Sequence, residues 1–499
     1  MTARRKVRFT SYLLLAAPAS WTAIGVMAKN PVGIPHAERL IGLGLLSWVL
    51  CCLTVWIGVR LGAAARPTVF AVFLVTVLAM SGRGLVDRYG YGITLLALVG
   101  VVAAAYWLAF RLSESSLPDV MLIGLAIALI SGPAIDLYDS LVTRGSSSAV
   151  RPQPLGVEIA DRRDIFLIVL DGHPGLEALS LDYPEPVVET VGSELAAGGY
   201  DLPDSAWSSY RGTDFSLPSV LEMGYPVDHM SSTPSSTQDM YNIISGDNLL
   251  REQLAENGYE TYMIESGWSG SSCRSWYDEC IASPLLDESM FIVLEKSVLG
   301  PAVLETYGYA FTAGALNAMD WLRSHGPELS ENGTSDFVFA HVMAPHAPFF
   351  LDPACKKVVT EERSGVVFPR AGVDNQVRGE LLLEQIECLR SFLLDFAGAI
   401  DEEAVVVVVS DHGSDRRRQL LRDPTGWTDE DIVERMNAFV AIRGLDDCPI
   451  GDEVMLPNVM RHVLSCLATD RIGPVAPRMV IGEGVELEDT QLAAIMDVD

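Results

Sequence analysis

The sequence predicts an α-helical membrane bundle of about five spans, followed by an α/β domain with a largely parallel central sheet. Three observations support this prediction. Five apolar runs precede residue 140. The remainder of the chain alternates strand-like and helix-like segments, which is typical of α/β domains. Its most apolar segment, Val405–Val409, is five valines without polar alternation, as expected of a strand covered on both faces.

The apolar runs lie near residues 9–28, 40–59, 67–82, 91–110 and 118–138. Each approaches the ~20 residues that a spanning helix needs, and the third is the shortest. A cleaved signal peptide would explain only the first run. Positive charge is heavier in alternate loops, at the N-terminus, at Arg60 and Arg66, and at Arg111. The positive-inside rule therefore places the N-terminus in the cytoplasm and everything after residue 140 outside the plasma membrane.

The chain is divided on this basis into a transmembrane region at 1–140, a polar linker at 141–163 and an extracytoplasmic domain at 164–499. The mean hydropathy of +0.26 fits a protein integral to a membrane. The net charge of −30 comes from the part after residue 150 and argues against nucleic acid as a partner.

Six cysteines follow the membrane region, an even number that suits disulfide bonds outside the cytoplasm. Six cysteines allow 15 connectivities. We expect neighbours in sequence to pair, as Cys273–Cys280, Cys355–Cys388 and Cys448–Cys466.

The globular part contains five strand-like and four helix-like segments. The predicted strands are 164–170, 260–265, 336–343, 405–409 and 437–443, and the predicted helices are 185–197, 247–257, 376–400 and 459–467.

Three of these strands have polar residues at their ends. Asp171 follows the first strand, His341 and His346 lie near the end of 336–343, and Asp411 with His412 follows the valines. Parallel strands bring their carboxyl ends to one edge of the sheet, so these side chains are expected to converge. Carboxylate oxygens with one imidazole suit Mn²⁺, Mg²⁺ or Zn²⁺. The alternative is that Asp411 caps a helix and His412 lies on the surface.

The segment 207–225, WSSYRGTDFSLPSVLEMGY, is rich in hydroxyl groups and offers a nucleophile. Thr213 is predicted to begin a helix, where backbone N–H groups and the helix dipole favour an anion. A hydroxyl at that position, beside a cation, can attack phosphorus or sulfur. The alternative is that Thr213 is an N-cap within a Ser/Thr-rich loop.

Four motifs, in this order and spacing, resemble the sulfatase-like branch of the alkaline phosphatase superfamily. They are IVLDG, SSYRGTDFSLPSVLEMGY, FAHVMAPHAPF and VVVSDHG. The chain is similar in particular to the membrane-anchored members, lipoteichoic acid synthases and lipid A phosphoethanolamine transferases. The resemblance covers roughly residues 163–470. It implies a metal-dependent transferase or hydrolase of phosphate-type esters that acts on an envelope lipid or glycan.

The resemblance also implies roles for individual residues. One divalent cation is expected to be held by four of them, namely Asp171, Thr213, Asp411 and His412. Thr213 would be the nucleophile and would form a covalent intermediate. His346 first, and His341 second, would hold the transferred anionic group or protonate the leaving group.

The sequence departs from relatives in ways that bear on the reaction. Val220 stands where formylglycine sulfatases have the arginine of C/S-x-P-x-R, which favours Thr213 over Ser216 as the nucleophile. No clear D-x-x-x-H is present for a second metal, and Asp171 stands where the two transferase groups have glutamate. Two alternatives remain open: sulfate-ester hydrolysis by the same fold, and a non-catalytic membrane-anchored binding protein.

Overall fold

A computed structural model describes most of the chain. The described residues are 9–29, 37–112, 117–142, 155–226, 234–284, 286–307, 310–360, 363, 375–414, 424–482 and 485–496. The basic N-terminus and the linker residues 143–154 lie outside them.

The elements are numbered in chain order. The helices are α1 Phe9–Leu14, α2 Ala16–Lys29, α3 Ala37–Arg60, α4 Ala65–Ser81, α5 Arg83–Arg111, α6 Leu117–Val142, α7 Leu176–Ser180, α8 Glu185–Ala197, α9 Thr213–Leu221, α10 Pro234–Ile244, α11 Leu249–Glu256, α12 Glu288–Glu295, α13 Gly300–Tyr307, α14 Ala310–Ser330, α15 Asn375–Ala397, α16 Asp429–Met436, α17 Leu456–Leu467 and α18 Asp489–Met496. The strands are β1 Ile165–Leu170, β2 Ser205–Trp207, β3 Glu260–Ile264, β4 Glu279–Ile281, β5 Asp336–Val342, β6 Val405–Val409, β7 Val440–Arg443, β8 Glu453–Met455, β9 Val480–Gly482 and β10 Val485–Glu486.

The chain divides into two compact units. The first comprises Met1–Ser146 and Glu288–Tyr307, and the second comprises Ser147–Asp287 and Gly308–Asp499. The sequence places residues 288–307 in the extracytoplasmic domain, whereas in the structure they group with the N-terminal helices. The reason is that α12 packs on α2 and α3, and α13 packs on α5.

The first unit contains the apolar helices. Four of them are long and apolar enough to cross a membrane, over Ser11–Ala28, Ala37–Arg60, Arg88–Arg111 and Leu117–Asp136. The remaining predicted run forms α4, which is apolar but has only 17 residues. The structure thus confirms a bundle of four to five apolar helices.

A six-stranded sheet, in the order β4-β3-β5-β1-β6-β7, forms the centre of the second unit. Neighbouring strands are parallel except for β6 and β7. The valine strand β6 has no alternation of apolar and polar residues because both faces of the sheet are covered at this strand. Val405, Val407 and Val409 pack in one core cluster, and the other two valines pack in the cluster on the opposite face. The predicted fold class is confirmed.

Residues 155–163, which the sequence assigns to the linker, are hydrogen-bonded to the end of α11 and to its C-cap, Asn257. Gly156 N donates to Gln253 Oε1 at 3.0 Å, and Ile159 N donates to Asn257 Oδ1 at 2.8 Å. These bonds hold the approach to β1 in place.

The three expected disulfide bonds are present. Cys273 is bonded to Cys280, Cys355 to Cys388, and Cys448 to Cys466.

Candidate active site

Three neighbouring strands deliver polar residues to one edge of the sheet. β1 lies between β5 and β6, so Asp171 at its end faces the turn that follows the valines. Gly172 makes this turn with a φ of +68°, a left-handed conformation that glycine adopts without strain. Its backbone N donates to Asp411 Oδ1 at 2.9 Å, which ties the ends of the two strands together.

The structure brings the four predicted ligands together. Thr213 Oγ1 lies 3.4 Å from Asp171 Oδ2 and 3.3 Å from His412 Nε2. His412 Nε2 is 3.1 Å from Asp411 Oδ2. Ligand atoms of the two aspartates and the histidine all lie within 4.8 Å of one another, and the three residues are buried. Thr213 opens α9, as the sequence predicts.

The donor set fits a divalent cation. Asp171 Oδ1 and Asp411 Oδ2 are buried and accept no hydrogen bond from any described residue. Carboxylate oxygens buried without partners are costly unless they are paired or coordinate a metal. His412 Nδ1 lies 2.7 Å from the Gly413 carbonyl oxygen, to which it donates, so its Nε2 carries the lone pair. The lone pair and the two free carboxylate oxygens belong to the same cluster.

Electrostatics favour the ligand forms of these groups. Burial and the Arg435 guanidinium lower the pKa of His412, which keeps the imidazole neutral. Burial opposes ionisation of Asp171, but His346 and the hydrogen-bonded His341 outweigh it and lower the pKa of that carboxyl. A neutral His412 imidazole beside an ionised Asp171 carboxylate is the combination of protonation states that metal binding requires.

Ser216 has a different environment from Thr213. It is fully buried, and its hydroxyl donates to the backbone carbonyl oxygen of Asp411. Ser208 Oγ lies 2.7 Å from the same carbonyl oxygen. The two serines therefore hold the turn that presents Asp411, and Thr213 presents its hydroxyl to the cluster.

The two predicted histidines lie in different places. His346 lines a small cleft together with Gly172, His412, Ser414 and four other residues. His341 is fully buried, with Nε2 3.2 Å from Asp171 Oδ2 and its ring in a T-shaped contact with the Trp268 ring.

One cleft residue has no signal in the sequence. Arg435, in the last turn of α16, lines the cleft, and its Nη2 lies 3.1 Å from His412 Nε2. Nothing in the local sequence distinguishes this arginine from the others in the chain.

No family model and no curated protein matches the chain. Solved structures similar to it include the integral membrane protein lipooligosaccharide phosphoethanolamine transferase A from Neisseria meningitidis, at 14% identity, 91% coverage of this chain, 95% of that chain and a TM-score of 0.40. The C-terminal periplasmic domain of EptC from Escherichia coli matches at 11% identity, 68% and 97% coverage, and a TM-score of 0.43. The lipoteichoic acid synthase LtaP from Listeria monocytogenes matches at 11% identity, 68% and 79% coverage, and a TM-score of 0.39.

Proposed function

We propose that this protein is a membrane-anchored, metal-dependent transferase or hydrolase of phosphate-type esters on cell-envelope lipids or glycans. The observation that carries the proposal is the position of the Thr213 hydroxyl. It lies at the first turn of a helix, within 3.4 Å of both a carboxylate and a neutral imidazole in a buried cluster. This arrangement supports nucleophilic attack on an anionic ester.

Asp171, Asp411, His412 and the Thr213 hydroxyl would hold one divalent cation, Mn²⁺, Mg²⁺ or Zn²⁺. When bound there, the cation supplies positive charge that favours loss of the hydroxyl proton and offsets charge on the phosphoryl group. The buried carboxylate oxygens that accept no hydrogen bond from the described residues support this assignment.

Before the first step the Thr213 hydroxyl gives its proton to solvent, and His346 starts protonated. In the first step, the deprotonated Thr213 Oγ1 forms a bond to phosphorus while the bond from phosphorus to the leaving oxygen breaks, and the leaving oxygen takes a proton from His346. The leaving oxygen needs a proton, and His346 is the histidine that lines the cleft. Its Nδ1 donates to the Ala347 carbonyl oxygen at 2.5 Å, so Nε2 is the nitrogen that can exchange a proton. The product of this step is a phosphorylated Thr213.

In the second step, a hydroxyl of water or of an envelope lipid or glycan attacks the phosphorus. The bond from phosphorus to Thr213 Oγ1 breaks, and the acceptor proton passes to His346, which restores its starting state. Transfer is favoured over hydrolysis because apolar helices in the same chain give the enzyme access to a donor carried by a lipid.

Substitution at Thr213 tests the mechanism, with Ser216 as the matched control. We expect Thr213→Ala to abolish turnover while divalent-cation binding and folding persist. Ser216→Ala is expected to keep most of the turnover and to lower the free energy of unfolding by about 2 kcal/mol, since the buried hydrogen bonds of its hydroxyl to the Asp411 carbonyl oxygen and to Ser208 are lost. Mass spectrometry after incubation with native membrane lipids should find the adduct on Thr213 in the wild type. An adduct on Ser216, or full turnover of Thr213→Ala, contradicts the mechanism.

Sulfate-ester hydrolysis is distinguished by substrate. Parallel assays with an aryl sulfate and a phosphodiester, on the wild type and the Thr213→Ala variant, measure the two reactions under the same conditions. We expect turnover of the phosphodiester only.

A further inference from the structure

We propose that Arg435 is the residue that binds the anionic group of the substrate, an inference that rests on the proposed function. Its position supports this role. Arg435 Nε donates to the Arg211 carbonyl oxygen at 2.7 Å, two residues before Thr213, and its Nη2 reaches His412 Nε2. The guanidinium thus lies between the loop that carries the nucleophile and a residue of the proposed metal site.

The helix that carries Arg435 has a fixed orientation. Thr428 begins α16 with a capping box, in which its side chain accepts from Asp431 N and Asp431 accepts from Thr428 N. Ile432, Val433 and Met436 of the same helix are buried. The capping and the buried face hold α16 rigidly, so Arg435 is presented to the cleft by a rigid support rather than by a loop.

The chemistry of the contact explains why this arginine is suited to an anion. A guanidinium only donates hydrogen bonds, so Nη2 donates to the lone pair on His412 Nε2. The same lone pair is the one that a cation held by Asp171, Asp411 and His412 would take. The cation and the Arg435 N–H group cannot use the His412 lone pair at the same time, so cation binding directs Nη2 toward another acceptor in the cleft. An oxygen of a phosphate-type ester is an acceptor of the required charge, and guanidinium groups match phosphate geometry well.

This arrangement predicts that Arg435 has opposite effects on the binding of the cation and on the binding of the anion. Arg435 opposes binding of the cation, through like charge and through competition for the His412 lone pair. It favours binding of the anion, through the opposite charge. A residue that served only to support the fold would weaken both ligands together.

The experiment uses the full chain in nanodiscs and compares three variants with the wild type. Arg435→Met removes the charge and keeps apolar bulk, and Arg435→Lys keeps the charge without the planar fork. Arg323→Met is the control, since Arg323 lies in α14, where it pairs with Asp320, and does not line the cleft. Calorimetry measures the affinity for Mn²⁺ alone, and for inorganic phosphate at saturating Mn²⁺.

For Arg435→Met we expect phosphate affinity to fall at least tenfold and Mn²⁺ affinity without phosphate to rise about threefold. Arg435→Lys should lose less phosphate affinity, and Arg323→Met should match the wild type in both. Unchanged phosphate affinity in Arg435→Met, or a parallel loss of both affinities, overturns the role of Arg435. A wild-type protein that binds Mn²⁺ but no phosphate would instead overturn the proposed function, and the inference with it.

Discussion

His341 and His346 come from one sequence motif but have different surroundings. His341 is fully buried and lies 3.2 Å from Asp171 Oδ2, the same carboxylate oxygen that Thr213 Oγ1 approaches. His346 lines the cleft. A histidine that orients a ligand carboxylate and a histidine that exchanges a proton with substrate should respond differently to substitution.

We expect His341→Ala to lower the affinity for Mn²⁺ by about tenfold to a hundredfold, since removal of a residue that supports a metal ligand has effects of this size. His346→Ala should leave that affinity within about twofold and lower the turnover rate by at least about a hundredfold. Calorimetry for Mn²⁺ and steady-state assays separate the two effects. If both variants lose metal affinity equally, the division of roles is incorrect.

At the scale of an element, the residue before β1, Asp164, has a carboxyl group whose ionisation is opposed by its surroundings. Burial raises the pKa of Asp164 to about 6, and the neighbouring carboxylates of Asp336 and Asp401 act in the same direction. Asp164 Oδ1 nevertheless accepts a hydrogen bond from Asp336 N at 2.8 Å, which ties β1 to β5. The folded state therefore binds a proton at Asp164 more tightly than the unfolded state does.

The sign of the pH dependence follows from the raised pKa. The favourable contribution of Asp164 is complete below its ordinary pKa and is lost as the pH rises through about 6. Asp164→Asn keeps the acceptor oxygen and removes the charge. We expect this variant to be more stable than the wild type by about 1 kcal/mol at pH 7.5, after allowance for solvent screening, with no gain at pH 4.

Thermal melts between pH 4 and pH 8 measure this difference, with Asp204→Asn as an exposed control on the same unit. The control should shift the melting temperature little and without a step near pH 6. An equal shift for Asp164→Asn at both ends of the range would show that the charge is not responsible.

At the scale of the molecule, contacts within the first unit support the predicted topology. Arg60 stacks over Trp56 and Arg111 over Trp107, at the ends of α3 and α5. The helix that follows α3 and the helix that follows α5 are joined at their starts by the Arg66–Asp119 ion pair at 2.9 Å. The ends of α3 and α5 therefore lie on the same side of the helical bundle. Arginine and tryptophan at helix ends are typical of membrane interfaces.

The turn between α4 and α5 contacts the insert, residues 288–307. Arg83 N donates to the Lys296 carbonyl oxygen at 3.2 Å, and Val298 N donates to the Ala79 carbonyl oxygen at 2.7 Å. Both ends of the insert continue along the chain into the second unit, which the sequence predicts to lie outside the membrane.

We predict the sidedness of two exposed leucines from these contacts. Leu61 follows α3 and is 84% exposed, whereas Leu299 lies in the insert and is 57% exposed. In intact cells, a membrane-impermeant maleimide should label Leu299→Cys and should label Leu61→Cys only after permeabilisation. The wild type measures the background labelling of the two free cysteines, Cys51 and Cys52. Labelling of Leu61→Cys in intact cells would contradict the predicted topology and indicate the opposite orientation.

Several elements could be predicted because their signals are local. The five valines indicate a strand buried on both faces whatever lies next to it, and the local pattern alone places Thr213 at the start of its helix. The disulfide bonds could be anticipated because cysteines close in sequence need little chain closure. The insert at 288–307 could not, since its apolar residues are equally consistent with packing in the second unit.

The sequence by itself determined the α/β class and the main strands of the sheet, since each depends on residues a few positions apart, and the family resemblance supplied the four candidate ligands. Only the tertiary structure decided the distances from the Thr213 hydroxyl to Asp171 and His412, and the different surroundings of His341 and His346. It alone placed Arg435 beside His412. Such contacts depend on how helices and strands pack across the sheet, and packing between distant segments leaves no pattern in the local sequence.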